Sequence, residues 1–453
     1  MKPAVPFLLL VLLGMSGLGP AQVRSSLLDL ANSIGSVLPS LSRPANHSRI
    51  FYAVMFDAGS TGTRIHVYTF IQSDSVELPV LDNEMFHSIK PGLSAYADFP
   101  EMAGHTVRML LKVAKKTVPR LEWKRTPVFL RATAGLRLLP TEKAHALLNE
   151  VQHVFVESPF LVTDNCVTIM NGTNEGNVCP PSALRGSTSF MGILDLGGGS
   201  TQITFLPRLR KTIETVPVTD YVARFDIFNT TFELYTYSYL GNGLMVARLA
   251  TLGALGGEGL EWQVFKSPCL PKKFRDEWSF GGVTYQVSGD PEGYAGFKLC
   301  YEQVLKVVKG IIHQPYEIED SNVFYAFSYY FDRAVEAGLI DGVQGGTLEV
   351  RDFKKRAKEV CNKMAKYPLN SPFLCMDLTY IACLLKDGFG FKESTVLQVS
   401  TGSVVILSVT VVHIHNCTAY REFFFFFSSL QTYCQYLQYV CIFGCDLIIC
   451  SML

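Results

Sequence analysis

The sequence predicts an α/β protein of two related lobes around a cleft, on three observations. From about residue 50 strand-like and helix-like segments alternate, the pattern of an α/β chain. An apolar run followed by an Asp and a glycine-rich turn occurs twice, as FDAGSTGTR at 56–64 and ILDLGGGSTQ at 193–202. The chain has 453 residues and is 48% hydrophobic, enough for two to three domains' worth of core.

Phe51–Phe56 reads as a buried strand and Arg64–Phe70 as a second, with period-two alternation. Residues 101–117 read as a helix with Met109, Leu110, Leu111 and Val113 on its apolar side. Val128–Thr133 is a strand that ends in a polar loop, and a helix covers 141–157 from Thr141. Near 167 a second unit begins. Gly192–Leu194 is a strand, ILDLGGGSTQITF repeats the strand–turn–strand order, and 301–313 and 352–365 are the clearest helices that follow. The expected organisation is a signal peptide at 1–21, a lead-in at 22–49, an N-terminal lobe at 50–166, a C-terminal lobe at 167–395 and an apolar tail at 396–453.

Lys2, the apolar run 7–13 and the small residues Gly19 and Ala21 have the order of a cleaved signal peptide. Sequons at Asn46, Asn171, Asn229 and Asn416 and twelve cysteines fit an oxidising, secretory compartment. Cys269 with Cys300 and Cys361 with Cys375 close short loops and are disulfide candidates, a pairing that spacing alone does not prove. Lys+Arg and Asp+Glu balance at 40 each, which argues against a nucleic-acid partner.

The two turns carry the chemistry. Glycines let the chain bend sharply and let backbone N–H groups approach a ligand closely, and successive N–H groups form an anion-binding concavity. An Asp beside such a concavity would repel phosphate directly. Asp57 and Asp195 therefore suggest a divalent cation held through water between carboxylate and phosphate. One copy alone could be a plain hairpin turn; two copies make a clamp on the phosphates of one nucleotide. Neither is a P-loop, since no Lys follows either turn. Thr133, after the next strand, fits a loop touching water or phosphate, or equally a helix N-cap. Glu175, among small residues in NGTNEG, is a candidate general base.

FDAGSTGTR, ATAGLR, the NEG segment, LDLGGGSTQITF and FYAFSYYFDRA, in this order, resemble the five signature regions of the nucleoside triphosphate diphosphohydrolases, or apyrases. The resemblance covers roughly 50–395 and is nearest to the soluble endoplasmic-reticulum branch that prefers UDP and GDP. It implies the actin/Hsp70/hexokinase-type fold, two RNase-H-like lobes around a nucleotide cleft. It implies hydrolysis of the terminal phosphate of nucleoside diphosphates with Ca²⁺ or Mg²⁺, in the endoplasmic-reticulum lumen or secreted, in support of glycoprotein folding, by a chain expected to be monomeric. By motif it assigns Asp57 and Asp195 to the metal's water shell. Gly59, Ser60, Thr61, Gly198, Gly199 and Ser200 fall to phosphate, and Glu175 to the base. Thr133, Ser200 and Gln202 place the water, and Tyr329 and Phe389 sandwich the nucleobase. Both disulfide candidates fit the family's pattern.

Two segments depart from that pattern. Where the family continues in a helix after Glu-Gly, Glu175-Gly176 here runs into Asn177–Leu184 with two consecutive prolines, which do not sit in a helix interior. After Val396 the family pattern is expected to stop, and 396–415 is apolar enough to be weighed as a membrane span or an aggregation-prone tail. The rival functions are a non-catalytic nucleotide-binding protein and another enzyme on the same fold, a sugar kinase or a polyphosphatase.

Overall fold

A computed structural model describes residues 49–72, 80–172, 175, 191–227, 230–256, 263–318, 323–364 and 371–400. The signal peptide, the lead-in up to residue 48, the segment from Gly176 to 190 and the candidate span beyond residue 400 lie outside the described residues. The candidate site lies in one compact unit, Phe51–Thr69 with Asp82 onward. The described residues of the other unit are short ends of the first three strands.

The N-terminal lobe is built from β1 (Arg49–Ala58), β2 (Thr63–Gln72), β3 (Val80–Ile89), α1 (Pro100–Thr117), β4 (Val128–Ala132), α2 (Ala134–Arg137), α3 (Thr141–Val156) and β5 (Val167–Ile169). Its sheet runs β3-β2-β1-β4-β5. β1 is parallel to β4, with Asp57 opposite Arg131, and β4 is parallel to β5. β1 reads as a strand because Ala53–Phe56 is a continuous apolar run, and it is buried. α1 starts on Pro100, carries Glu101 in its first turn and Lys115 and Lys116 in its last, in agreement with the helix dipole. Ala103, Val107, Leu110, Leu111 and Ala114 form its buried stripe. α3 covers the same core, with Phe155 against Phe56 at a ring separation of 5.4 Å.

The C-terminal lobe follows with β6 (Met191–Leu196), β7 (Ser200–Phe205), β8 (Val222–Ile227), β9 (Thr230–Leu240), α4 (Leu244–Leu252), β10 (Val264–Ser267), β11 (Arg275–Phe280), β12 (Val283–Gly289) and α5 (Phe297–Val308). It continues with β13 (Val323–Ser328), α6 (Tyr329–Glu336), β14 (Gly346–Glu349), α7 (Val350–Met364), α8 (Leu374–Cys383) and β15 (Val396–Val399). The main sheet runs β14-β15-β13-β6-β7-β9-β8, and β10-β12-β11 form a small one. β6, β7 and β9 are antiparallel neighbours, and β13 is parallel to β6 and to β15. The inner order β9-β7-β6-β13-β15 thus repeats that of the first lobe, as the echoed turn implies.

All ten residues of α8 are buried, so its apolar sequence shows no stripe. Cys269 bonds to Cys300 and Cys361 to Cys375, the two candidate pairs. β15 lies beyond the expected lobe boundary at 395. It pairs with β13 and β14, and Leu397 and Val399 are core residues, so the lobe extends through Val399. Among the described residues no helix is long and apolar enough to cross a membrane.

Candidate active site

The first turn links β1 to β2, and the second links β6 to β7. They meet. A Cβ built on Gly198 would lie 2.5 Å from Ser60 Oγ and 2.7 Å from Thr61 Cγ2, so only glycine lets the second turn come this close to the first. The loop after β4 joins them. A Cβ on Gly135 would lie 2.7 Å from Ser60 Cα, and one on Gly199 would lie 3.0 Å from Ala134 Cβ. Gly59, Ser60, Thr61, Gly198, Gly199 and Ser200 are therefore gathered in one place, with Thr133 at the mouth of the third loop. Thr133 occupies the N-cap position of α2, yet its hydroxyl makes no capping bond.

The second turn is held from behind. Leu244 and Met245, at the N-terminus of α4, donate their N–H groups to Gly197 O and Gly198 O at 2.9 and 3.0 Å. Gly243 precedes them, and a Cβ there would lie 2.4 Å from the Gly198 carbonyl carbon and from Ser200 N. Deeper in the lobe, Arg248 of α4 donates from Nε to Asp377 Oδ1 at 2.7 Å. Asp377 is fully buried on α8 and also takes a bond from Arg333 at 3.4 Å.

Asp57 and Asp195 are the penultimate residues of β1 and β6. Asp57 Oδ2 accepts a charged bond from Arg64 at 2.7 Å. Asp195 Oδ1 is buried and has no hydrogen-bond partner among the described residues. Burial pushes the Asp195 carboxyl above its usual range, with the Ser328 hydroxyl opposing and the Asp57 charge adding. Two carboxylates, one with an orphaned buried oxygen, are a donor set that fits a hard divalent cation.

Ser200 and Gln202 are buried on β7. Gln202 Nε2 donates to Ser200 Oγ at 2.7 Å and to Ser238 Oγ at 2.8 Å, while Gln202 Oε1 is a second buried acceptor without a partner among the described residues. Glu175 pairs through Oε2 with Arg137, which also reaches Ser200 Oγ at 3.3 Å, Ser238 Oγ at 3.5 Å and Met170 O at 3.4 Å. Burial pushes the Glu175 carboxyl up to about 7 against the opposing Arg137 charge, and Asp195 and Asp57 raise it further. A largely buried carboxyl whose proton affinity is raised toward neutrality, linked through Arg137 to Ser200 and so to Gln202, can take a proton from water.

Tyr329 begins α6 half-buried, with the Arg333 guanidinium 5.7 Å from its ring centre. Phe389 does not join it as an open face. It has no exposed surface and packs on Tyr239 and Phe391 at 5.9 and 6.2 Å. Stacking on a nucleobase would require it to leave the core, so the structure corrects that expectation. The assignments also omit Arg64, Arg137, Ser238 and Gly243. Arg64 closes FDAGSTGTR and Arg137 closes ATAGLR, and an Arg at the end of a turn that can bind an anion was the available signal.

The GDA1/CD39 (nucleoside phosphatase) family matches residues 43–179 and 182–406. The chain belongs to the GDA1/CD39 family. The match passes the expected stop at Val396 and breaks at the two prolines, 180 and 181. Ectonucleoside triphosphate diphosphohydrolase 5 of Mesocricetus auratus is 56% identical over 365 residues, 79% of this chain and 77% of that one. Nucleoside diphosphate phosphatase ENTPD5 of Homo sapiens is 55% identical over 356 residues, 77% and 83% of the two chains. Among solved structures, a nucleoside triphosphate hydrolase from Neospora caninum superposes with a TM-score of 0.53 at 12% identity, covering 85% of this chain and 93% of that one. The GDA1/CD39 chain described here is thus a phosphatase, a hydrolase with the two-lobed actin-type fold.

Proposed function

We propose that the chain hydrolyses the terminal phosphate of nucleoside diphosphates, UDP and GDP, with Ca²⁺ or Mg²⁺, in the lumen of the secretory pathway, where removal of UDP supports glycoprotein folding. The observation that carries the reading is the convergence of both Asp-bearing turns with Glu175, Ser200 and Gln202. The relatives' names, the sequons and the disulfides support substrate and compartment.

In this reading the glycine-rich turns and the Ser60, Thr61 and Ser200 hydroxyls bind the phosphates. Asp57 and Asp195 would hold the water shell of the cation, which when bound offsets charge on the phosphates. Gln202 Oε1 and Thr133 orient the attacking water. Glu175 removes its proton through Oε1, because Oε2 is taken by Arg137. The water oxygen bonds to the terminal phosphorus as the bridging P–O bond breaks, and the products are nucleoside monophosphate and inorganic phosphate. Tyr329 provides one face for the nucleobase. This division of labour, mostly positioning and charge neutralisation, suits phosphoryl transfer.

The test is phosphate release from UDP by secreted protein with Ca²⁺, with EDTA, and by Asp195→Asn. Release that EDTA and Asp195→Asn each lower by about 10²-fold or more is expected; tight UDP binding without any release would replace the reading with a binding function.

A further inference from the structure

Among the described residues Asp57, unlike Asp195, accepts a hydrogen bond from an arginine. Arg64 sits at the second position of β2, and its guanidinium folds back across the turn to Asp57 Oδ2 at 2.7 Å. It lies on the phosphate turn itself, since a Cβ on Gly59 would come within 2.9 Å of Arg64 Nη1. The pair is open to solvent, with side-chain exposures of 37% for Arg64 and 27% for Asp57. Asp195 and Tyr329 act on Arg64 electrostatically, and Asp332 of α6 feels both Arg64 and Lys90. An arginine in a protein stays charged.

We propose that Arg64 and the divalent cation compete for Asp57, so that the site takes cation and diphosphate together more readily than the cation alone. The inference rests on the metal-assisted reading given above. Asp57 and Asp195 bring two negative charges and Arg64 one positive charge. A free hydrated cation therefore meets a site already half neutralised, and it must displace the guanidinium to gain Asp57. A cation–diphosphate chelate, whose net charge is negative, is repelled by the two carboxylates. It gains the displaced guanidinium as a donor to a phosphate oxygen, for which the planar fork of Arg is suited. Competition and assistance are two sides of one coupling between the cation and diphosphate sites.

The experiment is calorimetric titration of nucleotide-free wild type, Arg64→Gln and Arg64→Met with Ca²⁺, then with the non-hydrolysable α,β-methylene-UDP in Ca²⁺, on protein whose melting is checked. Arg64→Met keeps the apolar stem if Gln unfolds the hairpin. Both variants are expected to bind Ca²⁺ alone about tenfold more tightly than wild type and the Ca²⁺–analogue complex about tenfold more weakly, a coupling of ordinary size. Unchanged or weaker Ca²⁺ binding in the folded variants overturns the competition. Phosphate release has no part in this readout. A reciprocal shift in a protein that never hydrolyses UDP would sink the diphosphatase reading and leave the competition standing; hydrolysis without the shift would do the opposite.

Discussion

Replacing Gly243 by Ala perturbs the second turn through a single methyl group. Gly243 has φ −75° and ψ 163°, inside the extended region open to any residue, so Ala adopts the same backbone without strain. The new Cβ would lie 2.4 Å from Gly198 C and Ser200 N and 2.5 Å from Gly198 O. Ordinary contact lies near 3.5 Å, so turn and α4 must separate by about 1 Å. Such overpacking costs about 1–3 kcal/mol, and a 1 Å shift of positioning groups costs about 10²-fold in rate. Gly253, at the other end of α4, is the control. It has φ +71° with nothing within 4 Å of its Cβ position, so Gly253→Ala costs about 1 kcal/mol in backbone strain and moves no turn atom. The assay is initial-rate UDP hydrolysis beside thermal melting. Gly243→Ala should lose rate and stability, and Gly253→Ala stability alone. A Gly243→Ala protein within threefold of wild-type kcat would refute the claim that this contact sets the turn.

Glu175 gives a pH prediction. As a base it must be ionised, so kcat should rise with pH through about 7, and Glu175→Gln should lower the plateau about 10²–10⁴-fold and flatten that limb. Its carboxyl is raised from 4.5 in the unfolded chain, so both states hold the proton at low pH, and the stability linked to it falls as pH climbs from about 4.5 to about 7. A rate profile unchanged by Glu175→Gln would remove the residue from that role. Asp377→Ala leaves the buried Arg248 without its carboxylate, while Arg333 keeps Glu336 at 2.6 Å, and a loss of about 3–5 kcal/mol is expected in chemical denaturation; a loss below about 1 kcal/mol would show the Arg248–Asp377 pair to be dispensable.

What was legible in the sequence was local. The apolar run before FDAG gives β1, and the echo of the turn gives the second lobe's hairpin; α1 is where the sequence puts it, but of its expected apolar side Leu110 and Leu111 are buried while Met109 is exposed and Val113 half-buried. What was not legible depends on contacts far apart in the chain. Arg137 and Glu175 are 38 residues apart, Gln202 and Ser238 are 36 apart, and no local pattern pairs them. Gly243 is needed for a neighbour 45 residues earlier, so its own flanks show only a helix start. Phe389 fails for the complementary reason. An aromatic in KDGFGF has the same local sequence whether its face is open or packed, and here Tyr239 and Phe391 cover it. β15 was missed because four residues beside an apolar tail have no boundary signal of their own. Their pairing with β13 identifies them.

The site's acceptor groups separate into two kinds, and the separation follows from how each is supported. Asp57 and Glu175 each have an arginine, while Asp195 Oδ1 and Gln202 Oε1 have no partner among the described residues. Unpaired buried acceptors are costly, at about 1–3 kcal/mol each, and they persist only where the surroundings are too rigid to collapse onto them. The second turn meets that condition. The N-terminus of α4 holds its carbonyls, Arg248 ties α4 to the fully buried Asp377, and Asp377 lies on a helix with no exposed face. A site that keeps acceptors fixed and unpaired before the reaction avoids reorganising them during it, which is the main source of electrostatic catalysis. In the proposed reaction, the core of the C-terminal lobe would then contribute to turnover by preventing Asp195 and Gln202 from satisfying themselves.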